Sequence, residues 1–298
     1  MAKIAVDLEQ ALARRAVQGE AGSATGRRLA EGPGWAVEDV ICTSGPEDRP
    51  FEEQHAGVSI AVVVAGSFEY RSVAGHGLMT PGSLLLGNAG HCFECGHRHG
   101  RGDRCVSFHF TPELFERLAV EAGGPARSGR GFRVPRLPPM KELAPLVAGT
   151  CTALAGASTL AWEELALRLA APTIELAEGL PAAPAEPPPG ALARVTKAVR
   201  VIEREPEAGL TLVSLAEGAG LSPYHFLRTF ERATGVTPHQ YLLRARLREA
   251  ALRLAAEPTA VTDIAFDSGF GDLSNFHRAF RTEFGLSPRG YRRVARSA

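Results

Sequence analysis

A short segment in the first half of the chain concentrates side chains that bind transition metals. The segment HCFECGHRHGRGDRC spans residues 91–105 and has the spacing C-x2-C-x-H-x-H-x5-C. Thiolate and imidazole groups are the usual ligands of zinc and related ions. On an extended strand alternate side chains share one face, and a turn around residues 100–102 would bring the last cysteine back beside them. The candidate ligands for zinc or another transition metal are Cys92, Cys95, His97, His99 and Cys105.

Two other interpretations of this segment stay open. Cys92 and Cys95 could pair under oxidation and form a redox switch. Alternatively, the side chains line a barrel or a ligand pocket without a metal, and the thiols act as small hydrophobic groups. Cys42 and Cys151 stand apart in the sequence and are interpreted as buried structural residues. His55 could complete a pocket from a neighbouring strand, although a lone histidine is more often structural.

A second set of reactive side chains lies in a segment that the C-terminal third contains twice. LVSLAEGAGLSPYHFLRTFERATGVTPHQY at residues 212–241 aligns with VTDIAFDSGFGDLSNFHRAFRTEFGLSPRGY at residues 261–291. Each copy has the layout of a helix-turn-helix, with a glycine in the turn and a second helix that begins at Ser222 or Asp272. Phe226 and Phe230, spaced i, i+4, would face a core and leave the opposite face of that helix outward.

The outward faces of these second helices carry groups that can meet base edges and phosphates in a major groove. The equivalent placement of Arg228 and Arg278 favours DNA contact over an ordinary solvated position. Tyr224 is interpreted as a contact residue, whereas His225 and Leu227 are balanced between packing and groove contact. The candidate DNA-binding residues are Tyr224, His225, Leu227 and Arg228 in the first copy and Ser274, Asn275, His277 and Arg278 in the second.

A predicted helix over about residues 238–256 joins the two copies. At about 1.5 Å per residue, it could hold the two recognition helices about one DNA turn, about 34 Å, apart. Because the two outward faces differ, one chain would read two unlike half-sites. The expected target is an asymmetric or direct-repeat site in double-stranded DNA. The joining helix carries four arginines: Arg244, Arg246, Arg248 and Arg253.

The remaining sequence supplies the elements that position both sets. Residues 1–20 predict an amphipathic helix, and six short β-prone runs between residues 37 and 110 are typical of a sandwich or barrel. Thr111 followed by Pro112 predicts a helix start. Two further helical stretches cover about 140–155 and 159–178. We therefore expect an α+β multidomain protein: an N-terminal helix and extension (1–36), a β-barrel or sandwich with flanking helices for sensing and dimerisation (37–180), a Pro-rich linker (181–190), and an all-α domain with two helix-turn-helix motifs (191–298).

Composition limits the class of function. The 298 residues carry 33 basic and 33 acidic side chains, but residues 190–298 hold 16 Lys and Arg against 11 Asp and Glu, a net charge of +5. A basic region beside an acidic remainder favours a polyanionic partner. No apolar run reaches the roughly 18 residues of a membrane span. The N-terminus lacks a signal peptide's apolar region, and with only five cysteines we expect a reducing cytoplasm.

Residues 191–293 resemble the DNA-binding domain of the AraC family of bacterial transcription regulators. The landmarks are LAEGAGLSPYHFLRTFERATGVTPHQYLLRARLREA and IAFDSGFGDLSNFHRAFRTEFGLSPRGYR. The resemblance implies seven helices, two helix-turn-helix units and binding to promoter DNA near RNA polymerase. It also implies that the base-reading positions lie on the exposed faces of both recognition helices, at Tyr224, Leu227, Arg228, Ser274, Asn275, His277 and Arg278.

More loosely, the first half resembles the cupin-like sensor domain attached to many members of that family. TPGSLLLGNAGHCFECGHRH is similar to its PGDxxLxxPGxxH-type hairpin, with Asn88 where a proline is common. The HRH triplet is similar to the metal-binding HxH of cupin enzymes. The usual downstream glutamate is absent, and Asp103 lies off the usual spacing, which argues against dioxygenase activity.

The combined hypothesis is a one-component transcription regulator and not an enzyme. Its N-terminal domain would sense a small molecule, a metal or an oxidant and form a homodimer, and its C-terminal domain would bind promoter DNA. The alternative is a metal-dependent cupin enzyme fused to a DNA-binding domain. That alternative requires turnover of a small molecule that depends on His97 and His99.

Overall fold

A computed structural model describes residues 2–121, 131–156, 162–181 and 190–297. The first half is rich in strands and flanked by helices, and the C-terminal region is helical, so the predicted α+β organisation is confirmed. The predicted linker at 181–190 lies almost entirely outside the described residues, as do residues 159–161 of the predicted helix at 159–178.

The strands are β1 Ala24–Gly32, β2 Trp35–Cys42, β3 Phe51–Gln54, β4 Val58–Gly66, β5 Phe68–Ser72, β6 Gly75–Met79, β7 Leu84–Gly87, β8 Cys92–Gly96, β9 Asp103–Phe110 and β10 Arg136–Leu137. The helices are α1 Ala2–Gln18, α2 Pro112–Glu121, α3 Ala144–Leu154, α4 Trp162–Gly179, α5 Ala191–Arg204, α6 Leu212–Gly218, α7 Pro223–Thr234, α8 Pro238–Ala256, α9 Val261–Asp267, α10 Leu273–Phe284 and α11 Pro288–Ser297. A 3-10 turn, Lys141–Leu143, precedes α3.

The strands form two antiparallel sheets. The larger has the order β1-β2-β9-β4-β7-β10, and the smaller has the order β3-β8-β5-β6. Strand β4 is buried on both faces, which explains its continuous apolar run VSIAVVVAG. Its residues Ile60 and Val62 pack towards the helices, whereas Ala61 and Val63 join the core between the sheets.

Four strands were not predicted from the sequence. Strand β1 is an exposed edge with charged residues, β3 is FEEQ, β6 is GHGLM and β10 has only two residues, so none shows a run of alternating apolar side chains. Strand β1 pairs with β2 from Ala24 to Gly32. The predicted extension over residues 1–36 is therefore corrected, because β1 and the first residues of β2 belong to the larger sheet.

Helix α1 is held on the larger sheet by a buried arginine. Arg104 on β9 donates to both carboxylate oxygens of Asp39 on β2, at 2.8 and 2.9 Å. It also donates to the Ile4 carbonyl and the Asp7 carboxylate of α1, at 3.0 and 2.8 Å. Burial acts to raise the pKa of Asp39, but the hydrogen bonds from Arg104 outweigh it and lower that pKa. The pair therefore stays ionised and ties three elements together.

The C-terminal region contains seven helices, α5 to α11, within the described residues. It has two apolar cores. One surrounds α5, α6 and α7, with Phe226 and Phe230 fully buried, and the other surrounds α9, α10 and the end of α8, with Phe276 and Phe280 fully buried. Leu212, the first residue of α6, is 38% exposed, whereas Leu215 and Ala216 of the same helix are buried.

The two matching helix pairs, α6–α7 and α9–α10, are set by local sequence. Ser222 caps α7 through its side chain, and Asp272 caps α10 by accepting from two backbone amides. The turns pass through Gly220 (φ +65°) and Gly269 (φ +86°), a backbone region that side chains disfavour. At Gly269 a Cβ would also lie 2.7 Å from the Glu207 Cα. The turn and the helix start are thus encoded in each copy.

The helical region packs directly against the first half. Leu78 of β6 is buried in the core around α5 to α7, and Ala148 of α3 is buried in the core around α9 and α10. Leu252 of α8 in turn belongs to the core of the first half. The two halves therefore share apolar cores. No helix in the described ranges is long and apolar enough to cross a membrane.

Candidate functional sites

The first half of α7 presents a polar face to solvent. Tyr224 is 62% exposed and Arg228 is exposed, while Phe226 on the opposite face is buried. Arg228 donates to the Tyr224 hydroxyl at 3.1 Å, and its guanidinium lies 5.9 Å from the centre of that ring. The two side chains hold each other in place on the face where the sequence predicted DNA contact.

The other two predicted residues of α7 are placed differently. The His225 ring is exposed, and its Nδ1 lies within hydrogen-bond distance, 3.0 Å, of the hydroxyl of Ser222, the residue that caps α7. Leu227 is half-buried. Between the packing and contact alternatives, these positions favour local packing for Leu227 and a capping role for His225.

Helix α10 presents a matching but chemically different face. Ser274, Asn275 and Arg278 are exposed, and His277 is half-buried with its ring 5.9 Å from the Phe276 ring. The hydroxyl, amide and guanidinium groups are those that hydrogen-bond base edges and phosphates. The structure thus brings three of the four predicted residues to the open face of α10.

The four arginines of α8 form ion pairs and hydrogen bonds with other residues of the helical region. Arg244 pairs with Glu283 at 3.0 Å, and Arg253 pairs with Glu257 and Asp267 at 3.1 and 3.0 Å. Arg248 forms a buried ion pair with Glu203 at 2.7 Å. Arg246 donates to the carbonyls of Pro206 and Ala208 at 2.6 and 2.9 Å. The joining helix is therefore fixed between its neighbours by its own charges.

A cavity of about 260 Å³ lies between the two halves of the chain. Its first-half wall includes Tyr70, Leu78 and Arg136, and its helical wall includes Leu192 and the C-terminal turn of α7. Apolar surface with a few polar groups is typical of sites for small organic ligands. A molecule in this cavity would contact the domain that carries the recognition helices.

Arg136 connects this cavity to α7. Its guanidinium donates to the carbonyls of Ala233 and Thr234, at 2.9 and 3.0 Å. These carbonyls end the helix, where the backbone lacks helical partners and the dipole is negative. Burial lowers the pKa of Arg136 to about 10, and no carboxylate among the described residues pairs with it. The contact docks the C-terminal end of α7 on the first half.

The structure separates the predicted Cys/His set. Cys92 is exposed, and His99 lies at the surface with its Nε2 3.8 Å from Glu69. Cys95, His97 and Cys105 are buried. Strand β8 ends at Gly96, so His99 does not continue the face of Cys95 as an extended strand would require. The predicted set is corrected accordingly, and the two histidines of the HRH triplet do not share a site.

His97 meets Cys42, a cysteine that the sequence pattern assigned to a structural role. One ligand atom each from Cys42, His97 and Asp103 lies within 4.8 Å of the other two. The His97 Nε2 is 2.6 Å from the Asp103 Oδ1, and the Cys105 thiol donates to the Asp103 Oδ2 at 3.4 Å. Burial opposes the charge on His97, but its hydrogen bond with Asp103 raises its pKa to about 10. The cluster offers sulfur, nitrogen and oxygen donors together.

The arrangement disfavours a Cys92–Cys95 redox pair. Residues three apart on one strand point to opposite faces, and here Cys92 is exposed while Cys95 is buried. Burial and the nearby Asp103 carboxylate raise the pKa of the Cys95 and Cys105 thiols well above the usual value. A buried protonated thiol is a poor nucleophile.

His55 lies in a separate buried network. Its Nε2 is 2.9 Å from the Tyr70 hydroxyl, its Nδ1 is 3.1 Å from the Ser59 hydroxyl, and its ring stacks on Phe93 at 4.2 Å. Burial, with the neighbouring His109 and His91, lowers the pKa of His55 to about 4. The ring is therefore neutral near pH 7 and serves as a hydrogen-bonding core residue.

Sequence reasoning missed Cys42, Asp103 and Arg136 as parts of these sites. Cys42 and Asp103 are cross-strand partners on β2 and β9, but strand pairing is not visible in one sequence. Arg136 lies on a strand of two residues, and its partner is a helix terminus almost a hundred residues away. The apolar run of β2 could have indicated that Cys42 lies at the end of a strand, but not which residues its side chain contacts.

The helical region is similar to known transcription factors. Residues 215–294 match the family described as a helix-turn-helix domain. The HTH-type transcriptional activator RhaS of Escherichia coli O139:H28 is 43% identical over 79 residues, 26% of this chain and 28% of RhaS. The transcriptional activator NphR of a Rhodococcus species is 39% identical over 103 residues, 33% of this chain and 30% of NphR. The chain thus spans less than a third of the length of these relatives.

Solved structures match the same region. A transcriptional regulator of Chromobacterium violaceum, described with AraC-type DNA-binding domains, has 27% identity and a TM-score of 0.34 and covers 37% of this chain and 98% of that one. The DNA-binding domain of AdpA in complex with a target DNA also has 27% identity and a TM-score of 0.34, and it covers 35% of this chain and 94% of that one.

Proposed function

We propose that this protein, whose C-terminal region carries a helix-turn-helix domain of the AraC type, is a DNA-binding transcription regulator. The observation that carries the proposal is the pair of helices α7 and α10. Each is anchored by two fully buried phenylalanines and turns an exposed polar face to solvent. A solvated surface would not need the same anchor, cap and outward arginine in two copies.

In this proposal the N-terminal halves of α7 and α10 enter successive major grooves. Tyr224 and Arg228 act as one preformed unit in the first groove, and Ser274, Asn275 and Arg278 act in the second. Helix α8, with 19 residues, is about 28 Å long at 1.5 Å per residue, which suits neighbouring grooves. Because the two faces differ in chemistry, one chain would bind a site without internal two-fold symmetry.

We further propose that the first half regulates this binding through the interface between the halves. The signal is a small molecule in the cavity at Arg136, or a metal in the buried cluster, and either would act on elements that contact the helical region. A homodimer and action beside RNA polymerase stay predictions from the family resemblance.

The test uses the full chain, because the helical region shares cores with the first half. Fluorescence anisotropy is measured with labelled duplexes from the region upstream of the protein's own gene, at several salt concentrations, with scrambled duplexes as controls. We expect tighter binding to one native duplex and a linear fall of log K with log salt. The double variant Arg228→Ala/Arg278→Ala should lose the preference. Equal binding to native and scrambled duplexes by the unmodified chain would contradict the proposal.

A further inference from the structure

We propose that Cys42, His97 and Asp103 bind a zinc ion, with Cys105 as the fourth ligand. The three side chains come from different segments, the end of β2, the residue after β8 and the start of β9, and yet they converge inside the first half. Each is at most 5% exposed. Convergence of a thiol, an imidazole and a carboxylate in one buried place needs a cause beyond apolar packing.

The hydrogen bonds of the cluster leave a polar atom without a partner. The His97 side chain is 1% exposed. The Cys42 thiol lies beside the ring and acts on it, yet the His97 Nδ1 makes no hydrogen bond of good geometry with the described residues. A buried polar group left unsatisfied destabilises the fold. A bound cation would replace the proton that His97 shares with Asp103 and would then balance the buried carboxylate in its place.

The donor set selects the kind of ion. Sulfur, nitrogen and one carboxylate oxygen suit zinc, whereas magnesium and calcium require mostly oxygen ligands. Cys105 is the neighbouring donor, since its thiol lies 3.4 Å from the Asp103 Oδ2. With it, the site would have the four ligands that structural zinc sites contain.

The site also reaches the helical region. A short loop runs from His97 to Asp103. Within it, the carbonyl of His99 accepts a hydrogen bond from Arg200 of α5 at 3.0 Å. Gly102 in the same loop donates to the Ser44 carbonyl at 2.8 Å. An ion that joins His97 to Asp103 would fix both ends of the loop that α5 contacts. This consequence, unlike zinc binding itself, rests on the proposed DNA-binding function.

The binding test uses the full chain without a histidine tag, stripped with a chelator and titrated with Zn²⁺ and with Co²⁺. We expect one tightly bound zinc per chain, a rise in melting temperature, and a cobalt spectrum with thiolate charge-transfer bands and tetrahedral d–d bands. Cys42→Ser and His97→Gln should weaken zinc binding at least a hundredfold, and Cys105→Ser should reduce the charge-transfer band.

Two residues of the same segment provide matched controls. Cys92→Ser and His99→Gln remove a thiol and an imidazole that lie outside the cluster, and both variants should bind zinc as the unmodified chain does. Melting of each variant in chelator shows whether it folds without metal, so that lost binding is separated from lost folding. Substoichiometric zinc in the unmodified chain, or equal losses in the cluster and control variants, would overturn the site.

The regulatory consequence is tested separately by DNA anisotropy with zinc and with chelator. We expect DNA affinity to change at least threefold in the unmodified chain and in Cys92→Ser, and to stay constant in Cys42→Ser. Zinc binding without any change in DNA affinity would overturn the coupling and keep the metal site. Absence of DNA binding in both conditions would count against the proposed function and leave the zinc result standing.

Discussion

Arg228 and Arg278 occupy equivalent positions but differ in what holds them. Arg228 is tethered to the Tyr224 hydroxyl and ring, whereas Arg278 is exposed and makes no hydrogen bond or ion pair with the described residues. A tethered guanidinium loses less conformational freedom on binding than a free one. We therefore infer that α7 presents a more rigid reading face and α10 a more adaptable one.

Replacing Arg278 with Ala should reduce the preference for the specific duplex by roughly 1–3 kcal/mol, because a bidentate contact to a guanine would be lost. Anisotropy with specific and scrambled duplexes measures this preference. Arg281→Ala is the matched control, since Arg281 is an exposed arginine one turn further along α10. It should weaken binding to both duplexes alike. If Arg281→Ala lost as much preference as Arg278→Ala, base reading by Arg278 would be refuted.

His55 should make the fold sensitive to moderate acid. Its pKa is about 4 in the folded chain against 6.5 for an ordinary histidine. The unfolded chain therefore binds a proton between these pH values that the folded chain does not bind, so the free energy of unfolding falls as pH falls through this window. The full effect is about 3 kcal/mol, from about 1.4 kcal/mol per pKa unit.

Urea denaturation of the unmodified chain and of His55→Gln at several pH values measures this contribution. The variant should be less stable at pH 7, since its side chain fits the Tyr70 and Ser59 partners poorly, and the difference should shrink towards pH 4. The exposed His239 supplies the control, and His239→Gln should follow the unmodified chain throughout. A stability difference for His55→Gln that is independent of pH would show that the ring is not kept neutral.

At the scale of elements, α7 has a free end and a docked end. Its N-terminal half faces solvent, while its last carbonyls bind Arg136 of β10. The first half of the chain thus contacts the recognition helix itself. Movement of β10, or of β6, whose Leu78 packs in the core around α7, would be passed to the helix that carries Tyr224 and Arg228.

Removing that contact should loosen the docked end. Arg136→Ala should lower the free energy of unfolding by about 2 kcal/mol, because two charge-assisted hydrogen bonds are lost and the carbonyls of Ala233 and Thr234 stay partly buried. It should also increase amide hydrogen exchange in the last turn of α7. Arg98, an exposed arginine of the same cavity wall, is the control. Equal exchange in Arg136→Ala and Arg98→Ala would rule out the docking role.

The helical elements could be predicted closely, and the sheets only in part. Helix α8 was predicted over 238–256 and spans the same residues, because Thr237, Pro238 and the Gly235 stop are local signals. Strands β2, β4 and β9 were visible from their apolar runs, but β1 and β3 are exposed edges, where pairing and not composition makes a strand. The sequence pattern indicated His97 and Cys105 of the buried cluster but not Cys42 and Asp103. Those two residues meet only through the pairing register of β2 and β9, which one sequence does not show.

At the scale of the whole molecule, the charge asymmetry and the shared cores work together. The helical region carries the positive charge expected of a nucleic-acid partner. It does not hang from a linker as an independent unit, because Leu78, Ala148 and Leu252 each lie in a core formed mainly by the other half. Regulation would then act on packing between the halves and not only on the distance between two tethered bodies.

The two halves should unfold together. Both tryptophans, Trp35 and Trp162, lie in the first half, so their fluorescence reports that half alone. Far-ultraviolet circular dichroism reports the helices of both halves, including α5 to α11. We expect coincident urea transitions by both probes. Midpoints that separate by more than the fitting error would show that the halves are energetically independent. Leu78→Ala, which opens a shared core, should lower both midpoints.

The shared cores also bear on how such a protein could be re-engineered or could diverge. Regulators built as separable modules tolerate the exchange of one input half for another by a cut in the linker. Here the boundary in sequence is not the boundary in packing, because the first half supplies Leu78, Ala148 and Arg136 to surfaces of the helical region. A functional chimera would have to carry over these three positions with the recipient helices, so input and output are constrained to change as a pair.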